Sequence, residues 1–348
     1  MALMTEDPWS EEVTSEGEGM SSRSISMEFG EPMKLGYRFV LFAMAATVFV
    51  SWAGGAVASG ATASVNARKA YQVTSTTIDF TDHSRATPAS NGVPALPYRT
   101  LATIVAYPEP PSGKRHEFPL VVYSHGFGAT AVSAMPTMQS LASHGYVVAA
   151  PDFPLSTTGL PGGLDLLDYA HQPGDVSFVI TQMLKLARTN GSPMYQEIDA
   201  HRIGVAGHSL GAVTTLAVSY NSCCRDARIS AAVEMDGELN VPIGPEGNFP
   251  GTYFKGHNPP LLVVNGTKDT IGPYAISQAI YAQSPTPKYF LSLIGAPHEG
   301  FAMEPWIPVV NDTIAAFFDR YLGSGATVTQ IKRAGSKSGI TTIQANAR

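Results

Sequence analysis

Short apolar runs at positions 118–124, 146–150, 231–235, 261–265 and 289–294 predict strands, and the first is apolar throughout, as a strand covered on both faces must be. Helix-forming stretches at 131–143, 175–188, 274–282 and 308–322 fall between or after them, the last clearly amphipathic. Two earlier strand-like pieces, 76–80 and 101–107, flank a loop containing Thr87-Pro88 and Asn91-Gly92, and read as opening antiparallel strands. Strands alternating with helices predict an α/β fold whose mostly parallel sheet carries helices on both faces. Two segments, 154–173 and 237–260, are rich in Gly and Pro without a period, the signature of loops that shape a site. From Gly323 the chain turns polar and weakly basic, which predicts a loosely packed tail over 323–348.

One stretch, 202–220, breaks this alternation sharply. An apolar strand run stops at Gly207-His208-Ser209-Leu210-Gly211, and a helix-forming run starts at once. Gly-x-Ser-x-Gly between a strand and a helix is the nucleophile elbow, a turn so tight that its flanks require glycine and its serine hydroxyl is left exposed above the sheet.

A serine hydroxyl is a weak nucleophile near neutrality, so Ser209 needs a base, and the base needs an acid to fix its tautomer. In open α/β sheets such groups stand in loops at the carboxyl ends of strands. The loop after 261–265 places Asp269 there, and the loop after 289–294 places His298. The order Ser209, Asp269, His298 is the order this architecture uses. Asp236, directly after the preceding strand, is the rival acid; Glu234 and Glu238 beside it read as a polar loop. A developing oxyanion needs two donors: the backbone N–H of Leu210, and that of Phe127 in the loop His125-Gly126-Phe127-Gly128. The Phe127 ring and His208 are candidate substrate contacts. His125 precedes the nucleophile and reads as a structural hydrogen-bonding residue.

Composition narrows the picture. Of 348 residues, 44% are hydrophobic and 14% charged, enough for a large core. The net charge of −6 is concentrated in residues 1–32, an acidic leader to which no structure is assigned, leaving a near-neutral remainder with no nucleic-acid surface. Residues 33–63 then read as an export signal: Lys34 and Arg38 precede an apolar run from Phe39, and Ala56-Val57-Ala58 and Ala61-Thr62-Ala63 suit cleavage. A secreted protein is expected. The alternative is an outward-facing membrane-anchored one, since 39–58 is about 20 residues long. The catalytic domain is then 64–322. Cys223 and Cys224 are adjacent and are expected as small buried thiols. No metal-ligand spacing occurs.

The motifs Ser124-His125-Gly126-Phe127-Gly128, Leu141-Ala142-Ser143-His144-Gly145-Tyr146, Gly207-His208-Ser209-Leu210-Gly211 and Pro297-His298-Glu299-Gly300-Phe301 resemble the α/β-hydrolase fold over about 76–321. More narrowly, they resemble its platelet-activating factor acetylhydrolase and bacterial polyester hydrolase (cutinase-like) branch, often labelled dienelactone hydrolase-like. The resemblance implies a serine carboxylic ester hydrolase without cofactor, acting on small to medium apolar esters or acyl lipids, with Ser209, Asp269 and His298 at the triad positions. A serine nucleophile departs from true dienelactone hydrolases. Leu210, and the lack of tryptophan after Met235, depart from polymer hydrolases. An amidase or acyltransferase on the same residues, or a non-catalytic binding protein of this fold, stays open.

Overall fold

The computed structural model describes residues 70–109, 116–240, 249–256, 258–323 and 325–347. The acidic leader, the export signal and part of the 237–260 segment therefore lie outside the described residues. In chain order the elements are β1 (Gln72–Asp82), β2 (Arg99–Glu109), β3 (Phe118–Ser124), α1 (Met135–Ser143), β4 (Val147–Pro151), α2 (Gln172–Leu186), β5 (Ile198–His208), α3 (Leu210–Tyr220), β6 (Ile229–Met235), β7 (Leu261–Gly266), α4 (Tyr274–Gln283), β8 (Lys288–Leu293), α5 (Ile307–Tyr321), α6 (Val328–Gly335) and β9 (Thr341–Asn346).

These strands form one sheet in the order β1-β2-β4-β3-β5-β6-β7-β8-β9. The inner strands β4, β3, β5, β6, β7 and β8 are parallel, whereas β1, β2 and β9 close the two edges antiparallel. Alternation of side chains along each strand sorts the core into two layers. Val121, Tyr123, Val233 and Leu291 pack under α1, α5 and α6. Leu120, Val122, Ala232 and Phe290 pack under α2, α3 and α4. Burial on both faces is why the inner strands read as apolar runs. The mostly parallel sheet with helices on both faces, within one compact unit from Ser64 to Arg348, is the predicted α/β fold.

Three expectations are corrected. Residues beyond 323 are not a loose tail: α6 packs Ile331 into the core, and β9 pairs with β8 along its whole length. An edge strand such as Thr341–Asn346 buries little of one face, so its residues carry no apolar run, but Thr327 and Gln330 do spell the capping box that opens α6. Helix α2 starts at Gln172, a turn earlier than read, because Pro173 at the first turn gives up only an N–H with no helical partner. Cys223 and Cys224 are joined in a disulfide, with Cys223 exposed, where the turn from Asn221 folds the chain back on itself.

A buried ion cluster holds the segment leading to α2. Arg99, wholly buried at the start of β2, donates Nε and Nη2 to the Asp175 carboxylate at 2.8 and 2.6 Å, and Nη1 to Asp168 at 2.9 Å. Asp168 belongs to a 3-10 turn, Leu166–Ala170, so part of the 154–173 loop is ordered by a charge that local sequence does not reveal.

Candidate active site

Ser209 sits between β5 and α3 at φ 55° and ψ −121°, a backbone conformation that costs about 1–3 kcal/mol and persists only where the surroundings impose it. Its flanks impose it. A Cβ on Gly207 would collide with the carbonyl of Gly211, and one on Gly211 with the carbonyl of Ser124, so backbone lies against backbone on both sides of the turn. The first N–H groups of α3 have no helical acceptor. Among the described residues, the N–H groups of Leu210 and Phe127 are taken up by no hydrogen bond.

Phe127 stands in a loop fixed from both sides. The Nδ1–H of His125 donates to the Gly126 carbonyl at 2.8 Å, and Thr157 donates its hydroxyl to Nε2 at 2.9 Å. Gly128, at φ +74°, donates its N–H to Ser156. Burial lowers the pKa of His125, which keeps this ring neutral and structural.

Asp269 and His298 occupy adjoining turns after β7 and β8. The turns are stitched together: Thr267 and Lys268 donate N–H groups to Leu293 and Ala296, and Gly295 donates to the Thr267 hydroxyl. Asp269 Oδ1 accepts the N–H groups of Ile271 and Gly272 at 2.8 and 2.9 Å, and Oδ2 accepts Nδ1–H of His298 at 2.7 Å. This leaves Nε2 of His298 as the basic nitrogen. Ser209 and His298 line the same pocket, about 200 Å³ in volume, with Phe127, Leu166, Val213 and Ile271 supplying apolar wall. Among the described residues, no hydrogen bond closes between Ser209 Oγ and the imidazole; such contacts often tighten only around substrate. Larger surface grooves, of about 520, 470, 400 and 330 Å³, are lined by other residues and touch none of these groups.

His208 is not in this pocket, contrary to its reading as a substrate contact. It lies behind the histidine turn, with Nε2–H donated to the carbonyl of His298 at 3.1 Å and its ring 4.1 Å from that of Phe301. Burial, with the neighbouring His298 adding to it, pushes its pKa down to about 3, so it is a neutral brace. Glu234 is not part of a polar loop either. It is a fully buried residue of β6, and burial pushes its pKa up to about 8 although Oε2 accepts the Gly237 N–H.

Asp236, Asp269 and His298 each offer an atom within 4.8 Å of the others, close enough to share a metal ion. Asp269 already accepts three N–H groups, one of them from Nδ1 of His298.

The chlorophyllase family model matches residues 62–239, a segment that includes the Phe127 loop, Ser209 and Asp236 and stops before Asp269 and His298. No curated protein matches the chain. The matched family is related to the platelet-activating factor acetylhydrolase and dienelactone hydrolase-like enzymes, the branch that the motifs resemble. By that match the chain belongs to the chlorophyllase family of α/β-hydrolases.

Proposed function

We propose that the chain is a serine carboxylic ester hydrolase that works through an acyl-enzyme on small to medium apolar esters or acyl lipids. The observation that carries this reading is the shared pocket: Ser209, on its strained turn, and His298, held by Asp269, both open into an apolar cavity of about 200 Å³. Nε2 of His298 takes the Ser209 proton as Oγ attacks the ester carbonyl, and the N–H groups of Phe127 and Leu210 hold the oxyanion. The imidazolium then gives that proton to the departing alcohol. Water, deprotonated in turn by Nε2, attacks the acyl-enzyme and releases the acid with Ser209 restored. Asp269 keeps the imidazole in one tautomer throughout.

The apolar walls from Leu166, Val213 and Ile271 favour an alkyl or acyl chain over a sugar or an anion. A chain-length series of p-nitrophenyl esters, run beside matched anilides on protein collected from culture medium, tests substrate and export together. Ester rates well above anilide rates are expected; the reverse order, or transfer to an added alcohol outrunning hydrolysis, would assign an amidase or acyltransferase instead. The export reading rests on Lys34, Arg38 and the apolar run from Phe39, and protein retained on cells would favour the anchor.

A further inference from the structure

Behind the acid of the site stands a second carboxyl that the mechanism leaves unused. Asp236 follows β6 and is 2% exposed. Its backbone adopts φ 56°, and a Cβ on Gly272 would lie 2.6 Å from its carbonyl oxygen, so the Gly272 backbone is packed against it. Oδ1 accepts the N–H of Gly266 at 3.1 Å. Among the described residues, no donor reaches Oδ2. The nearest ring nitrogen, Nε2 of His208, is 3.8 Å away and spends its proton on the carbonyl of His298.

An oxygen of the Asp236 carboxyl nevertheless lies within 4.8 Å of one of the Asp269 carboxylate. Two carboxyls buried this close together do not both ionise, so one of them keeps a proton. The donors decide which group keeps it. Asp269 is held as a carboxylate by Ile271, Gly272 and His298, whereas Asp236 has the single N–H of Gly266. We propose that Asp236 is a neutral carboxylic acid whose O–H donates to the Asp269 carboxylate, making it a positioning residue that sets the aim and strength of Asp269 against His298.

This rests on the ester-hydrolase reading of the site. The titratable groups facing Asp236 are Asp269, His298, His208, Glu234, Glu238 and Tyr123. Burial first, then Asp269 and Glu234, raise its pKa, in the direction that the hydrogen bonds require.

The test compares Asp236→Asn, which keeps a neutral donor toward Asp269, with Asp236→Val, which removes it at similar volume. D236N is expected to lower kcat/KM by no more than about tenfold and to keep the acid limb of its pH profile where the wild type has it. D236V is expected to lower kcat/KM about 10²-fold by misaligning the acid. Its acid limb should also move up by about one pH unit, because Asp269, relieved of its donor, pulls harder on the imidazolium. A D236N limb displaced downward by about one unit would mean that Asp236 carries a charge, and would overturn the proposal. A D236V profile equal to wild type would overturn it as well. Infrared spectra of full-length protein with isotope-labelled aspartate supply an arm that needs neither turnover nor a stable variant. The C=O stretch of a protonated aspartic acid is expected at neutral pH, and its absence from the wild type contradicts the assignment. A chain that hydrolyses no ester but shows the band would defeat the hydrolase reading alone.

Discussion

Nδ1–H of His298 donates to Oδ2 of Asp269 across 2.7 Å, although the two residues are 29 positions apart and stand on different strand ends. The hydrogen bonds between their turns make this pairing a property of the sheet edge rather than of either loop. Ser209→Ala and His298→Ala should therefore each lower kcat about 10⁶-fold with far-UV circular dichroism unchanged, as removal of a nucleophile or its base does. Asp269→Asn should cost about 10⁴-fold, since the imidazole remains but its tautomer is no longer imposed. Steady-state kinetics on a p-nitrophenyl ester orders the three. If Asp236→Asn proves more damaging than Asp269→Asn, the two acids have been assigned the wrong way round.

Glu234 predicts how stability varies with pH. Its folded pKa of about 8 lies above the model-peptide value of 4.5, so between those values the folded state binds a proton that the unfolded state has released. Stability from this group thus falls as pH rises through that window. Glu234→Gln, which is neutral at every pH, should raise Tm by several degrees above pH 8 and by little below pH 4.5. Thermal melts at the two ends read this directly, and an equal change at both ends would contradict it.

Breaking the Arg99 cluster should be expensive. Arg99→Met leaves Asp168 and Asp175 buried without their cation and is expected to destabilise the fold by about 3–5 kcal/mol in urea titrations. Leu166, next to that cluster, lines the pocket, so ester-length preference should also blur in R99M. A variant as stable as wild type would show that the cluster anchors nothing.

Pocket size predicts selectivity. A cavity of about 200 Å³ has little room to spare, and Val213 on α3 forms part of its wall. Val213→Phe should shift the preferred acyl chain to shorter lengths and lower kcat/KM for the longest ester tested, with little change for acetate. An unchanged profile in the chain-length series would place the acyl group elsewhere.

Much of this architecture is legible in the sequence because burial leaves a direct trace. Residues 118–124 and 261–265 are covered on both faces and so are apolar without interruption. Gly207 and Gly211 mark the elbow because no other residue fits against the neighbouring backbone. What was hidden depends on partners distant in the chain. Arg99 looks like a surface cation until Asp168 and Asp175 surround it, Asp236 and Glu234 look like loop acids until the sheet closes over them, and His208 looks like a pocket residue until Phe301 packs on it. Strand β9 was hidden for a different reason: at an edge, half the side chains face water.

The proposed chemistry depends on activation of the Ser209 hydroxyl by His298. Labelling by a fluorophosphonate probe, with the modified peptide identified by mass spectrometry and residual ester hydrolysis followed in parallel, measures it most directly. One label per chain, on Ser209, is expected, with activity lost in proportion and labelling nearly abolished in His298→Ala. Hydrolysis that survives complete labelling, or a label that forms equally well without His298, would contradict it.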